Sequence, residues 1–436
     1  MNNFLTNNLM NKTSDTVIDI HTFPKTSYNK TVLDSGLRIV TESLTHIKSI
    51  SIGFWINVGS RDESEDTNGI SHFLEHMVFK GTKDYSAKQI ALQIEGFGGY
   101  INAFTGKETT CYYVKILDEQ LTRAVDVLCQ LVLYPLLKEN DIEKEKFVVI
   151  EEIKNIEDDP EDLIHDVFDK NLFHNNSIGY PVIGNSVNIK KFTRQDLLNH
   201  MTKFYSPENM VIAAAGNIDH KKFVDLIEKS FGKKGFPKNN LKNQRITPQK
   251  NTKNCIKVEK PIQQAHICTG IKSYGIKSKY RYTLTLMNTL LGEGMSSRLF
   301  QNIREKYGFS YSIGSFLNFF EDTGSFGVYT GTDKKHIEIS LELINKELEK
   351  IKKIPLSNNE LNRVKAQVKG TMMLSLENMS TRMMRLATNE IYFNDYISIE
   401  SLINKIESVS IDDIQKVANK ILEIEDFTTV IFIPNT

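Results

Sequence analysis

The sequence predicts an α+β protein of two similar domains, each a largely antiparallel sheet packed with helices. Two observations support this fold class. The order of predicted strands and helices in the first half recurs in the second half, and a polar, basic stretch separates the two halves. With 436 residues, the chain is long enough for two or three domains, each with its own apolar core.

Residues 233–254 have the composition of a linker. The stretch reads KKGFPKNNLKNQRITPQKNTKN and contains seven Lys or Arg, two Pro and no acidic residue. Polar segments of this kind are typical of connections between packed units. We therefore expect a first domain over residues 31–232, a homologous second domain over residues 255–436, and a flexible leader over residues 1–30.

Periodicity and capping signals predict the elements of the first domain. Apolar side chains alternate along residues 50–58, as in a strand with one buried face. Ser86 and Gln89 form a capping box at the start of a helix. In chain order we predict strands 32–41 and 50–58, helices 68–80 and 86–96, strands 100–104 and 109–115, helices 118–134 and 139–156, strand 210–215 and one more helix.

The second domain is predicted to repeat this order of elements. Its recurrence indicates an internal duplication that is too old to show as sequence identity. In chain order we predict strands 255–258 and 266–271, helices 281–291 and 298–306, strands 310–319 and 326–330, helices 335–351 and 359–377, and strand 428–433.

Charge and hydropathy exclude several classes of partner. Lys plus Arg and Asp plus Glu both number 54, so no charge excess points to nucleic acid or to a membrane surface. No apolar run approaches the ~18 residues that a membrane helix needs. The first 30 residues lack Arg and lack the apolar stretch of a secretory signal. We expect a cytoplasmic protein, with an organellar matrix as the alternative.

A short motif in the helix predicted over residues 68–80 has the spacing of a metal site. His72 and His76 are four residues apart, so their imidazoles share one helix face and can converge on one Zn²⁺. Glu75 lies beside them, is not needed as a ligand, and can reach a zinc-bound water as the general base. The H-x-x-E-H order does the same work as the better-known H-E-x-x-H order.

A third protein ligand is expected from the acid-rich helix over residues 139–156. Hydrolytic zinc sites usually have three protein ligands and a water, and the motif supplies only two. Glu145 and Glu152 share one helix face, whereas Glu151 points roughly 100° away from Glu152. Spacing alone leaves all three acids as candidates.

Three segments together resemble the pitrilysin-type inverzincin metallopeptidases. They read GISHFLEHMVFKGT, GGYINAFTGKETTCYY and EKEKFVVIEEI. The likeness is to the β subunit of mitochondrial processing peptidase and to its bacterial single-chain relatives, and it covers nearly everything after about residue 30. The resemblance implies a zinc metalloendopeptidase that acts on peptides or unfolded segments and holds one Zn²⁺ per chain.

The resemblance also implies roles for particular residues in the first domain. In the family, the third ligand lies about 80 residues after the first His, which matches Glu152. Glu145 then matches an acid that orients a ligand. Asn102 and Ala103 match the edge strand that pairs with the backbone of the substrate.

In the second domain, Arg304 and Tyr311 match an Arg and a Tyr that contact the substrate near the scissile bond. No H-x-x-E-H motif follows the linker, so one site per chain is expected. Family members of this length pair to close a chamber, which implies a homodimer here. In such a dimer Arg304 and Tyr311 would serve the active site of the partner chain.

Two other interpretations of the function stay open at this point. One is a specific processing peptidase for basic presequences, because residues 139–166 carry twelve acidic residues against three Lys. The other is a noncatalytic scaffold subunit, like the core proteins of respiratory complexes. Such relatives typically lose ligand or base residues. This chain has all four, namely His72, His76 and Glu152 as ligands and Glu75 as the base.

Overall fold

The computed structural model describes residues 27–232, 245–249 and 253–435. These residues form one six-stranded sheet and one five-stranded sheet, each packed with helices. The expected α+β class, with two domains and largely antiparallel sheets, is confirmed. Most of the leader and most of the linker proposed from composition lie outside the described residues.

The first sheet has the strand order β1-β2-β6-β3-β5-β4, so β4 lies at one edge. Neighbouring strands are antiparallel except β2 and β6, which are parallel. The strands are β1 (Ser27–Val32), β2 (Arg38–Ser43), β3 (Ser49–Ile56), β4 (Tyr100–Thr105), β5 (Thr110–Leu117) and β6 (Met210–Gly216). The helices are α1 (Ile70–Val78), α2 (Ala87–Glu95), α3 (Leu121–Leu133), α4 (Glu139–Asp158), α5 (Pro160–Leu172), α6 (Ser186–Lys191), α7 (Arg194–Phe204) and α8 (His220–Phe231).

The start of the chain differs from the expectation in two ways. Residues 27–30 belong to β1 and pair with β2, so the strand begins inside the leader predicted over residues 1–30. The single strand predicted over residues 32–41 is instead the end of β1, a turn and β2. Gly36 makes this turn, because its φ of 83° is a left-handed conformation that favours glycine. Alternation alone did not reveal the turn.

The second sheet has the strand order β7-β11-β8-β10-β9. Its strands are β7 (Asn254–Lys260), β8 (Ala265–Tyr274), β9 (Ser310–Phe319), β10 (Thr323–Thr332) and β11 (Thr428–Pro434). Its helices are α9 (Arg281–Gly292), α10 (Ile337–Lys353), α11 (Asn358–Ser375), α12 (Met379–Phe393), α13 (Ile399–Glu407) and α14 (Ile411–Ile421), with a π-helical segment at Phe300–Glu305. The sequence patterns predicted neither α5 to α7 nor α12 to α14.

The topology of the two sheets agrees with an internal duplication. Strands β7, β11, β8, β10 and β9 follow the same order as β2, β6, β3, β5 and β4. The pair β7 and β11 is parallel, as is the pair β2 and β6. The second sheet therefore repeats the first without an equivalent of β1.

Each domain places one helix on the sheet of the other domain. Helix α12 covers the first sheet, where Met383 and Leu386 pack with Val40 and Trp55. Helix α5 covers the second sheet, where Phe168 joins an apolar cluster with strands β8 and β11. The linker therefore divides the sequence into two halves, but each half completes the apolar core of the other.

Helix α12 is also held by buried charges. Arg382 donates a hydrogen bond to Glu42 on β2 over 2.9 Å, and the Glu42 side chain is fully buried. Glu390 forms an ion pair with Lys30 on β1, with 2.9 Å between Lys30 Nζ and Glu390 Oε1.

Within the described ranges, no helix combines the length and apolar character that crossing a bilayer requires.

Truncating Leu386 tests the exchange of helices between the domains. Leu386→Ala should lower the free energy of unfolding by about 2–5 kcal/mol, because it opens a cavity between α12 and the first sheet. Trp55 is the only Trp, and its Nε1 lies 3.4 Å from Met383 Sδ, so its fluorescence reports on α12 docking during urea unfolding.

The matched control is Leu374→Ala, because Leu374 is 69% exposed on the neighbouring helix α11. It should change the unfolding free energy by less than about 0.5 kcal/mol. Equal stabilities for the two variants would contradict the packing role of α12.

Candidate metal centre

Helix α1, which carries the H-x-x-E-H motif, is anchored at its start by a carboxylate from the preceding loop. Gly69 has a φ of 99°, and no side chain at this cap position bonds the first turn. Glu63 accepts hydrogen bonds from the backbone N–H groups of Gly69 at 2.8 Å and Ser71 at 2.9 Å. Burial raises the pKa of Glu63 to about 6 against the effect of these hydrogen bonds. The position of α1 therefore depends on a residue that the sequence analysis missed.

The site forms where α1 faces α4. His72 Nε2 lies 3.8 Å from Glu152 Oε1, and His76 Nε2 lies 3.6 Å from Glu152 Oε2. One ligand atom from each residue can be chosen so that all three lie within 4.8 Å of one another. His72, His76 and Glu152 form the one such group found among the described residues.

The separations of these atoms suit a metal ion rather than direct hydrogen bonds. Both distances exceed the ~2.7–3.2 Å of a nitrogen–oxygen hydrogen bond. In a tetrahedral zinc site with bonds of about 2.0–2.1 Å, neighbouring ligand atoms lie about 3.3 Å apart. The observed 3.6 and 3.8 Å separations need only a small contraction to reach that value. The donor set of two imidazoles and a carboxylate also fits zinc.

The electrostatics of the two histidines differ. Burial, together with the nearby His76, lowers the pKa of His72 to about 4, which keeps its imidazole neutral as metal binding requires. Burial opposes charge on His76 too, but the hydrogen bond with Glu145 and the carboxylates of Glu152 and Glu75 outweigh it and raise the pKa of His76.

The three acidic candidates on α4 occupy different positions. Glu152 faces both histidines. Glu145 lies 2.9 Å from His76 Nδ1 and 2.5 Å from Lys80 Nζ, so it fixes the histidine ring and leaves Nε2 facing Glu152. Glu151 pairs with Lys154 on the outer face of α4, where its side chain is 67% exposed.

Glu75 lies between the metal-centre residues and the edge strand β4. Thr105, the last residue of β4, donates a hydrogen bond of 2.5 Å to Glu75 Oε2. Burial raises the pKa of Glu75, although Thr105 and the charge of His76 favour the ionised form. A carboxylate with a raised pKa is a stronger proton acceptor than an exposed one, as a general base must be.

Asn102 and Ala103 lie on β4, which is the last strand of the first sheet. The Ala103 N–H donates to Asn102 Oδ1 at 2.8 Å. Helix α1 packs against β4, so this edge of the sheet runs beside the motif. The far edge of β4 has no paired strand within the described residues.

Arg304 and Tyr311 are not brought to the metal centre of their own chain. Tyr311 is the second residue of β9 and is 66% exposed. Arg304 lies over the Phe300 ring at 4.9 Å in the π-helical segment. Within the described part of the chain, neither side chain hydrogen-bonds or ion-pairs with His72, Glu75 or the other motif residues.

The fold and the motif together are those of the pitrilysin-type zinc metallopeptidases. The chain belongs to peptidase family M16. Residues 38–186 match the sequence profile described as Insulinase (Peptidase family M16), and residues 191–368 match the Peptidase M16 inactive domain.

Relatives named as proteases match nearly the whole chain. The uncharacterized zinc protease YmxG of Bacillus subtilis is 38% identical over 408 residues, which are 92% of this chain and 97% of that protein. The uncharacterized zinc protease SCO5738 of Streptomyces coelicolor is 38% identical over 90% of this chain and 87% of its own length. A crystal structure of a protease from Helicobacter pylori has a TM-score of 0.87 at 25% identity, covering 94% of this chain and 100% of its own.

Three supporting residues escaped the sequence analysis. Thr105 directly follows the NAF segment, so its place at the end of the edge strand was a usable signal. Glu63 and Lys80 gave no such signal, because their partners are set by how the loop before α1 and helix α4 pack. Only the tertiary structure identifies them.

Proposed function

We propose that this protein is a zinc metalloendopeptidase that hydrolyses peptides or unfolded segments. One observation carries the proposal: His72, His76 and Glu152 converge, with the partly buried Glu75 between them and an open sheet edge. The names of the M16 relatives imply the same metal.

His72, His76 and Glu152 would hold one zinc ion per chain. A bound Zn²⁺ lowers the pKa of a coordinated water to near 7 and polarises a carbonyl oxygen. Glu145 would hold the His76 ring through Nδ1, so that Nε2 stays directed at the ion. Among the described residues, His72, His76 and Glu152 are the group whose donor atoms fit a metal ion.

Glu75 would act as the general base. Its carboxylate would accept a proton from the attacking water and pass it to the leaving amine of the peptide. Thr105 holds one oxygen of this carboxylate, which limits its rotation. The raised pKa of Glu75 favours both accepting that proton and holding it until it is transferred.

The substrate would bind in an extended conformation beside β4. An added strand satisfies the backbone groups of an unpaired sheet edge, with Asn102 and Ala103 at its centre. A chain must be unfolded or short to lie along this edge next to α1. Preference for basic presequences is a narrower form of this proposal, supported by the acidic residues of α4 and α5.

Metal content tests the ligand set. The purified protein should hold about one Zn²⁺ per chain by elemental analysis. His72→Ala and Glu152→Gln should each lose most of the zinc, because two ligands hold it far more weakly than three. Glu151→Gln is the matched control and should keep full zinc, since Glu151 is paired with Lys154 on the outer face of α4. Full zinc in Glu152→Gln would refute the assignment.

Glu75→Gln tests the general base. The change keeps shape but removes the proton acceptor, so cleavage of a peptide library should fall by at least ~10²-fold while zinc stays bound. Glu143→Gln removes an exposed carboxylate on α4 that pairs with Lys146, and it should leave cleavage unchanged. Normal cleavage rates in Glu75→Gln would exclude this role.

We further propose that two chains pair and that Arg304 and Tyr311 act on the partner's site. Their exposure, and the absence of bonds from them to the metal-centre residues among the described residues, support a role outside their own chain. Tyr311 would donate a hydrogen bond to the developing oxyanion of the substrate.

Mixed dimers test this proposal. Glu75→Gln and Tyr311→Phe chains, each inactive alone, should be co-expressed with two different tags and purified through both. If Tyr311 acts across the dimer, each mixed dimer has one intact site and should regain up to about half of the wild-type activity. Verified mixed dimers without recovered activity would show that Tyr311 serves its own chain or has no catalytic role.

A further inference from the structure

A group of five charged residues, four of them with buried side chains, joins the first domain, the linker and the second domain at one point. We call Arg61, Asp62, Glu108, Arg245 and Asp322 the interdomain cluster. Arg61 and Asp62 lie in the loop before α1, and Glu108 lies in the turn between β4 and β5. Arg245 belongs to the segment predicted as a linker, and Asp322 lies in the turn between β9 and β10.

Arg61 connects the two domains directly. Its NH1 atom lies 2.6 Å from Glu108 Oε1 and 2.8 Å from Asp322 Oδ1, and its side chain is fully buried. Its NH2 atom donates to the carbonyl of Ile246 at 3.1 Å. One guanidinium therefore binds the hairpin of the first domain, the turn of the second domain and the linker.

Arg245 makes the second set of connections. Its Nε and NH2 atoms each donate to an Asp62 carboxylate oxygen at 2.9 Å, which is a two-pronged pair. The same NH2 donates to the backbone carbonyl of Glu108 at 2.8 Å, and NH1 donates to Glu321 Oε2 at 3.3 Å. Composition predicted a linker here, and the Arg245 side chain within it is only 6% exposed.

Glu108 lies at the centre of the cluster. Besides Arg61, its carboxylate accepts hydrogen bonds from the Tyr392 hydroxyl at 2.7 Å and from the backbone N–H of Glu321 at 3.0 Å. Tyr392 belongs to α12, the helix that the second domain places on the first sheet. A turn residue of the first domain thus holds two separate elements of the second domain.

Burial makes these ion pairs costly to break. Removing one partner from a buried ion pair leaves an uncompensated charge, which is strongly unfavourable. Because Arg61, Asp62, Glu108 and Arg245 are all nearly fully buried, the domains cannot rotate at this point without exposing or unpairing a charge. Surface ion pairs, in contrast, rearrange at little cost.

The cluster is continuous with both elements that frame the metal centre. Asp62 is followed directly by Glu63, which anchors the start of α1. Glu108 lies in the turn that follows Thr105, the residue that binds Glu75. A shift of the cluster would therefore move the substrate edge of β4 relative to the motif helix.

We propose that the interdomain cluster is a positioning device: it clamps the second domain against the β4–β5 turn and the loop before α1, and so sets the spacing between the substrate edge and Glu75. Its catalytic consequence rests on the proposed peptidase function. The members are positioning residues and touch no reacting atom.

Two variants weaken the clamp to different degrees. Glu108→Gln removes the central charge while keeping the shape of the side chain. Asp322→Asn acts at the rim, where the Asp322 side chain is 27% exposed, so the protein should still fold if Glu108→Gln does not. The control is Glu349→Gln, which breaks surface ion pairs of α10 with Lys352 and Lys353.

The first measurement is independent of activity. Spin labels at Lys88→Cys on α2 and Glu338→Cys on α10, in a Cys255→Ser background that removes the exposed native thiol, report the distance between the domains. Labelled chains are diluted with unlabelled protein so that only distances within one chain are recorded. We expect one narrow distribution for the wild type and Glu349→Gln, and broad distributions for the two clamp variants.

The second measurement is peptide cleavage by the zinc-loaded protein. In the clamp variants KM should rise and kcat/KM should fall by roughly 10–100-fold with zinc content unchanged, because small misplacements are costly. A merely unstable variant would instead lose active protein at unchanged KM.

Unchanged distances in both clamp variants would overturn the proposal, as would broadened distances with an unchanged KM. A wild type that cleaves no peptide would refute the proposed function, and the distance distributions alone would then decide whether the cluster clamps the domains.

Discussion

The candidate metal centre imposes one demanding constraint: donor atoms from two helices far apart in the chain must meet within a few ångströms. His72 and His76 come from α1, and Glu152 comes from α4. Helix α1 is anchored by Glu63 at its start, and Lys80, just beyond its end, pairs with Glu145 of α4. Because both ends are held, the imidazoles are oriented before a metal binds, which reduces the cost of assembling the site.

Helix α4 transmits a second constraint from the other domain. It ends at Asp158, and Pro160 starts α5 directly, with the Asp159 side chain accepting hydrogen bonds from the first turn of α5. Since α5 packs on the second sheet, helix α4, which carries Glu152, is fixed at its far end by the second domain. The exchanged helix α12 binds the first sheet in the same way. The first domain, which carries the candidate metal centre, therefore depends on the second domain for its geometry.

The two similar domains differ in the chemistry that their shared topology carries. Helix α9 follows β8 as α1 follows β3, and α9 packs against α11 as α1 packs against α4. An offset of 219 residues, taken from aligning Asp141 with Glu360, places Leu291 where the first domain has His72. Leu291 is fully buried. In the second domain this position fills the apolar core and offers no donor atom to a metal.

The sequence by itself determined the features that depend on local spacing. Two histidines one helical turn apart, a neighbouring Glu and the repeated order of strands and helices are periodic patterns, so they can be read without knowing the fold. The resemblance to a family then selected Glu152 from three acids on α4.

Only the tertiary structure decided what depends on contacts between distant segments. Glu63, Thr105 and Lys80 support the site through partners that no periodicity reveals. In the sequence, Arg245 is one of seven cations in a predicted linker, and the structure buries its side chain against Asp62. Composition records how polar a segment is, whereas the burial of a charge depends on which carboxylates the rest of the chain brings to it.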